Sequence, residues 1–189
     1  MSTVVRFWHH LRPNAAFERC VRPHVPRLYR LAWRLTGSQE DAEDLIQETL
    51  LRAYPKRDQV LELDAPGPWL ARVLHNTWVD RWRRKGVMRD AYSLDDPDSP
   101  LPEASTSDEP LLVAVESAAL EQALATLPEP QRVVVLMHDA EGYTLEEISR
   151  ILDVPVGTLK SRLHRAREAL RARIAAGTFS SAAACQGMR

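Results

Sequence analysis

Residues 143–173, YTLEEISRILDVPVGTLKSRLHRAREALRAR, decide the fold. Thr144 and Glu147 stand at the S/T-x-x-E spacing that satisfies free amides at a helix start. Ile148, Ile151 and Leu152 then recur at the i, i+3, i+4 spacing of an amphipathic helix. Asp153-Val154-Pro155 breaks that helix, and Pro155 suits the first turn of a second one, where its missing N–H costs nothing. At about 100° per residue, the second helix lines Leu159, Leu163, Ala166, Leu170 and Ile174 along one stripe, the packed face. Ser161, His164, Arg165 and Glu168 centre on the opposite side, flanked by Thr158, Lys160 and Arg171. Two helices joined by a tight turn, the second cation-rich on its solvated face, suit a helix laid in the DNA major groove. Arg and Lys there reach guanine N7 and O6, and Ser and Thr are adaptable partners. An ordinary surface helix shows the same stripe; cap, turn and register together favour the groove-reading arrangement.

From Gly157 to Arg173 the cations are Lys160, Arg162, Arg165, Arg167, Arg171 and Arg173, against Glu168 alone. The whole chain has 189 residues, enough for one domain or two small ones, and a net charge of only −1. That total conceals a segregation. Between Asp90 and Gln131 there is no Lys or Arg, while acids from Asp90 to Glu129 accumulate amid Pro97, Pro100, Pro102 and Pro110. Such a segment buries too little apolar surface to offset its ordering entropy, so a flexible linker is expected there. A merely solvated acidic loop has the same composition. Basic patches lie on either side, as for two nucleic-acid-binding modules on an acidic tether.

From Val25 to Trp82 the pattern is helical throughout. Leu28, Leu31, Ala32 and Leu35 mark one helix ending at Gly37. Ser38 caps the next, with Asp41 in the capping-box position. In that helix, DAEDLIQETLLRAY (41–54), Ala42, Leu45, Ile46, Thr49 and Ala53 face inward. Asp41, Asp44, Gln47, Glu48 and Leu51 face outward, an acidic surface with one exposed Leu that by itself reads as plainly solvated. Tyr54-Pro55 ends the helix, and KRDQVLELDAPGP (56–68) reads as a loop. A last helix, WLARVLHNTWVDRWRRKG (69–86), interleaves cations with Trp78 and Trp82, which suits backbone contact plus stacking on an opened strand. Trp69, Val73 and Trp78 equally suit a core, and Asp80 equally suits an ion pair with Arg84 at i+4.

The run LPEPQRVVVLMHDAEGYTLEEISRILDVPVGTLKSRLHRAREAL (127–170) closely resembles the promoter-reading C-terminal domain of bacterial RNA polymerase sigma factors. Within it, GTLKSRLHRAR (157–167) is similar to the extracytoplasmic-function (group 4) subfamily. The resemblance extends over roughly residues 17–174. It implies an all-α chain of two small helical domains. The domains are an N-terminal bundle over 14–92 and a helix-turn-helix domain over 116–176, joined by an acidic Pro-rich linker over 93–115 and followed by a disordered tail over 177–189. It implies binding to core RNA polymerase, chiefly the β′ clamp and the β flap, and promoter-specific initiation on promoter DNA. By the same resemblance Asp41, Asp44, Gln47, Glu48 and Leu51 carry core binding. Arg72, His75, Asn76, Arg83 and Arg84 contact the −10 element. Thr158, Lys160, Ser161, Arg162, His164 and Arg165 read the −35 element. In the family, the segment at 56–68 helps catch an unstacked base; here it holds no aromatic residue, a departure from the pattern. An anti-sigma factor is a partner implied by the family alone.

Other classes fit less of the chain. A stand-alone helix-turn-helix regulator leaves the 41–54 face and the second basic module without a task. An enzyme would need a phosphate-cradling Gly loop, a metal-ligand spacing or a nucleophile elbow, and the sequence holds none of these motifs. The two cysteines, Cys20 and Cys185, are far apart and outside any metal-ligand spacing. No metal, cofactor or disulfide is expected. With no signal peptide or membrane-spanning run, a cytoplasmic protein is the expectation.

Overall fold

The computed structural model describes residues 14–84 and 117–185, the side chains of 117–119, 121 and 176–185 excepted. The expected linker, 93–115, lies outside the described residues. Among those described there is no β-strand. The chain divides into two compact units, residues 1–89 with 146–153, and residues 90–145 with 154–189.

The first unit opens with α1 (Ala15–Val21), whose cap Asn14 accepts a hydrogen bond from the Ala16 amide at 3.0 Å. A 3-10 turn (Arg22–His24) leads into α2 (Val25–Thr36). Gly37 ends α2 at φ 70°, in the left-handed region that only glycine enters without steric cost, and its N–H closes on the Trp33 carbonyl at 2.7 Å. Ser38 then opens α3 (Gln39–Ala53) by accepting from the Asp41 amide. The first-turn acids Glu40 and Asp41 complement the positive end of the helix dipole. α3 packs against both α2 and α5 (Pro66–Arg84). The core between these helices holds Leu28, Leu31, Leu35, Leu45, Ile46, Leu50, Leu70, Leu74 and Trp78. Phe17 of α1 closes it, set edge-on to Tyr54 with ring centroids 5.6 Å apart.

Residues 56–68 are not the plain loop expected. They contain a short helix, α4 (Arg57–Leu61), and the first turn of α5. α4 packs on α1 and buries Val60 completely. Val60, Leu61 and Leu63 are too short a run to establish a helical period, so only the packing partner reveals this helix. The start of α5 lies close to the 3-10 turn: a Cβ on Gly67 would come within 3.0 Å of the His24 ring.

The second unit contains α6 (Ser117–Ala125) and α7 (Glu129–Val135), which runs on into a π-helical turn (Leu136–Ala140). Further along the chain come α8 (Leu145–Leu152) and α9 (Val156–Cys185). Residues 146–153, most of α8, cluster with the first unit. α9 packs against α7 and α6. Leu159, Leu163, Ala166 and Leu170 are buried on the stripe the sequence marks, with Ile174 half-buried. Val133, Val134, Val135, Leu136 and Met137 are buried in α7 and its π turn. α8 starts directly after Thr144 and buries Ile148 and Ile151. Asp153 turns the chain at φ 59°, the one non-glycine with positive φ among the described residues, a conformation short Asp tolerates better than most. Pro155 then sits one position before α9, its carbonyl accepting from the Leu159 amide at 3.1 Å. α9 continues through Cys185, into the segment expected to be a tail.

Candidate nucleic-acid and polymerase interfaces

On α3 the two faces separate as the periodicity requires. Ala42, Leu45, Ile46, Thr49 and Ala53 are buried, and so is Leu50. Asp41 and Asp44 are exposed, Gln47 is half-buried, and Leu51 stands 52% exposed. An apolar side chain that open has no role in the fold's own core.

Glu48 differs from its neighbours. Its Oε2 accepts from Arg81 Nε at 2.6 Å, and its Oε1 accepts from Arg52 Nη2 at 2.8 Å and from Arg84 Nη2 at 3.3 Å. Arg81 Nη2 also donates to the Asp44 carbonyl at 2.8 Å. Partial burial pushes the Glu48 carboxyl up, but the hydrogen bonds and charges of Arg81 and Arg52 outweigh it and leave the group below its ordinary value. Asp80 binds Arg52 at 2.6 Å rather than taking Arg84 as an i+4 partner; Arg84 donates to the Asp80 carbonyl instead. The reason is tertiary: α3 brings Arg52 alongside α5.

Along α5, Arg72, Asn76, Arg83 and Arg84 are exposed or partly so. His75 is not. Only 7% exposed, it belongs to the packed face and is unsuited to touching DNA as it stands. Burial drives its pKa down to about 4, against a small opposing contribution from a hydrogen bond with Asn76. Its ring lies 6.0 Å from Trp78, which in turn lies 5.5 Å from Trp82. Trp78 is buried, so of the two tryptophans expected to stack on an opened strand only half-buried Trp82 reaches the surface.

On α9, Lys160 is exposed, and Thr158, Ser161, Arg162 and Arg165 are half-buried. Ser161 Oγ donates to the Gly157 carbonyl at 3.2 Å, one turn back. The His164 side chain is mostly covered, its Nε2 3.6 Å from Glu168 Oε2. Arg162 lies near Glu129, whose carboxyl is raised to about 7 by burial, against the opposing charges of Arg132 and Arg162. Arg167, one of the cations that make residues 157–173 basic, is buried: it donates to both Asp139 oxygens, at 2.9 and 2.6 Å, and His138 Nδ1 lies 2.7 Å from Asp139 Oδ1. This pair ties α9 to the π turn. No local signal marks it, because its members are 28 positions apart.

Residues 20–87 match the family description "Sigma-70 region 2", and residues 117–170 match "Sigma-70, region 4". The chain is 34% identical over 169 residues to the ECF RNA polymerase sigma factor SigW of Bacillus subtilis, covering 82% of this chain and 87% of SigW. The chain belongs to the extracytoplasmic-function sigma factors. SigE of Mycolicibacterium smegmatis is 38% identical over 164 residues, covering 82% of this chain but 60% of that longer protein. Among solved structures, the sigma factor RpoE of Bartonella quintana, crystallised with the anti-sigma factor NepR, superposes with a TM-score of 0.64 at 26% identity. The match covers 83% of this chain and 95% of RpoE. The region 2 match takes in α2 to α5, and the region 4 match takes in α6 to α8 and the front half of α9. Sigma factors direct promoter-specific transcription initiation by RNA polymerase, and the sigma residues named from the sequence lie within these two stretches. No described helix of this sigma factor is long and apolar enough to cross a membrane.

Proposed function

We propose that this ECF sigma factor docks on core polymerase through α3, engages the −10 element with the C-terminal half of α5, and reads the −35 element as duplex with the first turns of α9. The observation that carries the reading is the surface of the first unit: Leu51 exposed among Asp41 and Asp44 on one helix, and Arg83 and Arg84 exposed at the end of its packing partner. An apolar anchor on a face that also carries acids suits a basic protein surface, since charge complementarity steers the encounter and the buried side chain supplies the affinity. Exposed guanidinia beside Trp82 suit a phosphate backbone with an unstacked base.

In the −10 set, Arg72, Asn76, Arg83 and Arg84 make the contacts, while His75 supports the helix from within. In the −35 set, Lys160, Arg162 and Arg165 supply the cations, and Thr158, Ser161 and His164 add polar contacts. If Arg165 reads a guanine, Arg165→Ala costs about 1–3 kcal/mol at one base position; a uniform loss over all promoters would make it a phosphate contact. The factor acts by binding energy, as a non-catalytic specificity subunit in the cytoplasm, and an anti-sigma factor holds it in reserve. Run-off transcription with core polymerase on genomic fragments tests the reading. Discrete new start sites on adding the chain support it. Binding to duplex DNA without binding to core, or without directing initiation, would leave a stand-alone DNA-binding regulator instead.

A further inference from the structure

Glu48 sits on the helix proposed to meet the polymerase, yet its carboxylate is turned to the neighbouring helix. Its side chain is 26% exposed, and both oxygens are already occupied by guanidinia. A basic residue of the polymerase would have to displace a cation already bound at 2.6 to 2.8 Å. We propose that Glu48 is a positioning residue for the DNA-facing end of α5, holding Arg81 and Arg84 in place for the separated −10 strand, rather than a contact to polymerase. This rests on the sigma reading above.

The network has an internal order. Arg81 is the anchor, 25% exposed, its Nε and Nη2 both committed to α3. Arg52 braces the other side, joining Glu48 to Asp80. Arg84 is the member that looks outward, 64% exposed, and its distance to Glu48 is the longest of the three at 3.3 Å. Two carboxylates, Glu48 and Asp80, thus serve three guanidinia, which leaves one positive charge over, carried where Arg84 meets solvent. An Arg fork held in one orientation loses less rotamer entropy on meeting a phosphate than one that is free to swing. Without the Glu48 charge, only Arg52 keeps a carboxylate partner in this cluster, Asp80, and repulsion among the three guanidinia moves the exposed one away from the helix end.

The test uses holoenzyme assembled from core polymerase and full-length chain, with a forked DNA whose −10 non-template strand is single-stranded. Glu48→Gln keeps the shape and removes the charge. It should bind core within about twofold of wild type, while the assembled holoenzyme binds the fork about tenfold more weakly. The slope of log K against log salt should flatten by about 0.7 for each single-strand phosphate that is no longer neutralised. Arg81→Gln should show the same split, and the double variant should be no worse than the poorer single, because both break one network. If Glu48→Gln leaves the first unit too weak to assemble, Arg81→Lys, which keeps the charge and loses the second bond to the Asp44 carbonyl, should show the split in its place. A tenfold loss in core binding with unchanged fork binding by saturated holoenzyme overturns the proposal and makes Glu48 a polymerase contact. Tighter fork binding overturns it too, making Glu48 a competitor of DNA. A wild-type chain that binds neither core nor the fork sinks the sigma reading itself, and the positioning role with it.

Discussion

Replacing Arg167 by Met removes one half of the ion pair that fastens α9 to the π turn after α7. The Asp139 side chain is fully buried, and that of Arg167 is 6% exposed. Surface pairs contribute about 0–1 kcal/mol, so exposure decides the magnitude. At 4 Å, two unit charges at an effective dielectric of 20 attract by about 4 kcal/mol. Deleting one partner of a buried pair typically costs about 3–5 kcal/mol, because the remaining charge stays desolvated. His138, 2.7 Å from the same carboxylate, can keep one hydrogen bond to it, which places Arg167→Met near the lower figure. For a domain of this size, about 3 kcal/mol corresponds to a fall in Tm of roughly 12–24 °C.

The assay has a built-in control. The four described tryptophans, Trp33, Trp69, Trp78 and Trp82, lie in the first unit, so their fluorescence, read in a Trp8→Phe background, follows that unit alone. Far-UV circular dichroism sees every helix. Arg167→Met should bring in an early dichroism transition with the tryptophan transition unmoved. Adding Asp139→Leu should restore much of the loss, since replacing both charges by apolar groups avoids leaving one stranded. A change below about 0.5 kcal/mol, with −35 duplex affinity falling instead, would refute the reasoning and add Arg167 to the DNA-facing set.

Glu129 is raised to about 7, so the folded chain holds a proton that the unfolded chain releases near 4.5. The associated stability is complete below pH 4.5 and is lost as pH rises to about 7; Glu129→Gln should flatten that dependence and stabilise the second unit at pH 8 by up to roughly 3 kcal/mol, measured by urea unfolding across pH. His75 runs the other way: its pKa falls from 6.5 to about 4, so its contribution is present above 6.5 and lost as pH drops through 4. His75→Phe should therefore abolish the tryptophan-detected loss of stability over that window, and a pH profile parallel to wild type would disprove its burial. Leu51→Ala should change thermal stability by less than about 0.5 kcal/mol, since the side chain is 52% exposed, yet weaken core binding by about tenfold in a fluorescence titration.

Much of this molecule is local and therefore legible along the chain. The caps at Ser38 and Gly37, the inward stripe of α3 and the stripe Leu159–Leu163–Ala166–Leu170 all follow from spacing and turn chemistry, and the helices form where those signals stand. The family pattern in GTLKSRLHRAR carries the function in the same way, because base-reading side chains must share one face of one helix. Charge alone, however, does not tell which cations face DNA. Arg167 and Arg165 carry the same charge, but one, beside the packed stripe, is buried against Asp139, 28 residues away, and the other is half-buried. Glu48 reads as one acid of a solvated face until α5 brings Arg81 against it from 33 positions on. His75 reads as a polar tip beside Asn76 until packing covers it, and Val60 reads as a loop residue until α1 does the same. Periodicity says which way a side chain points from its own helix. What it meets there depends on a second helix distant in the chain, and only the tertiary structure supplies that partner.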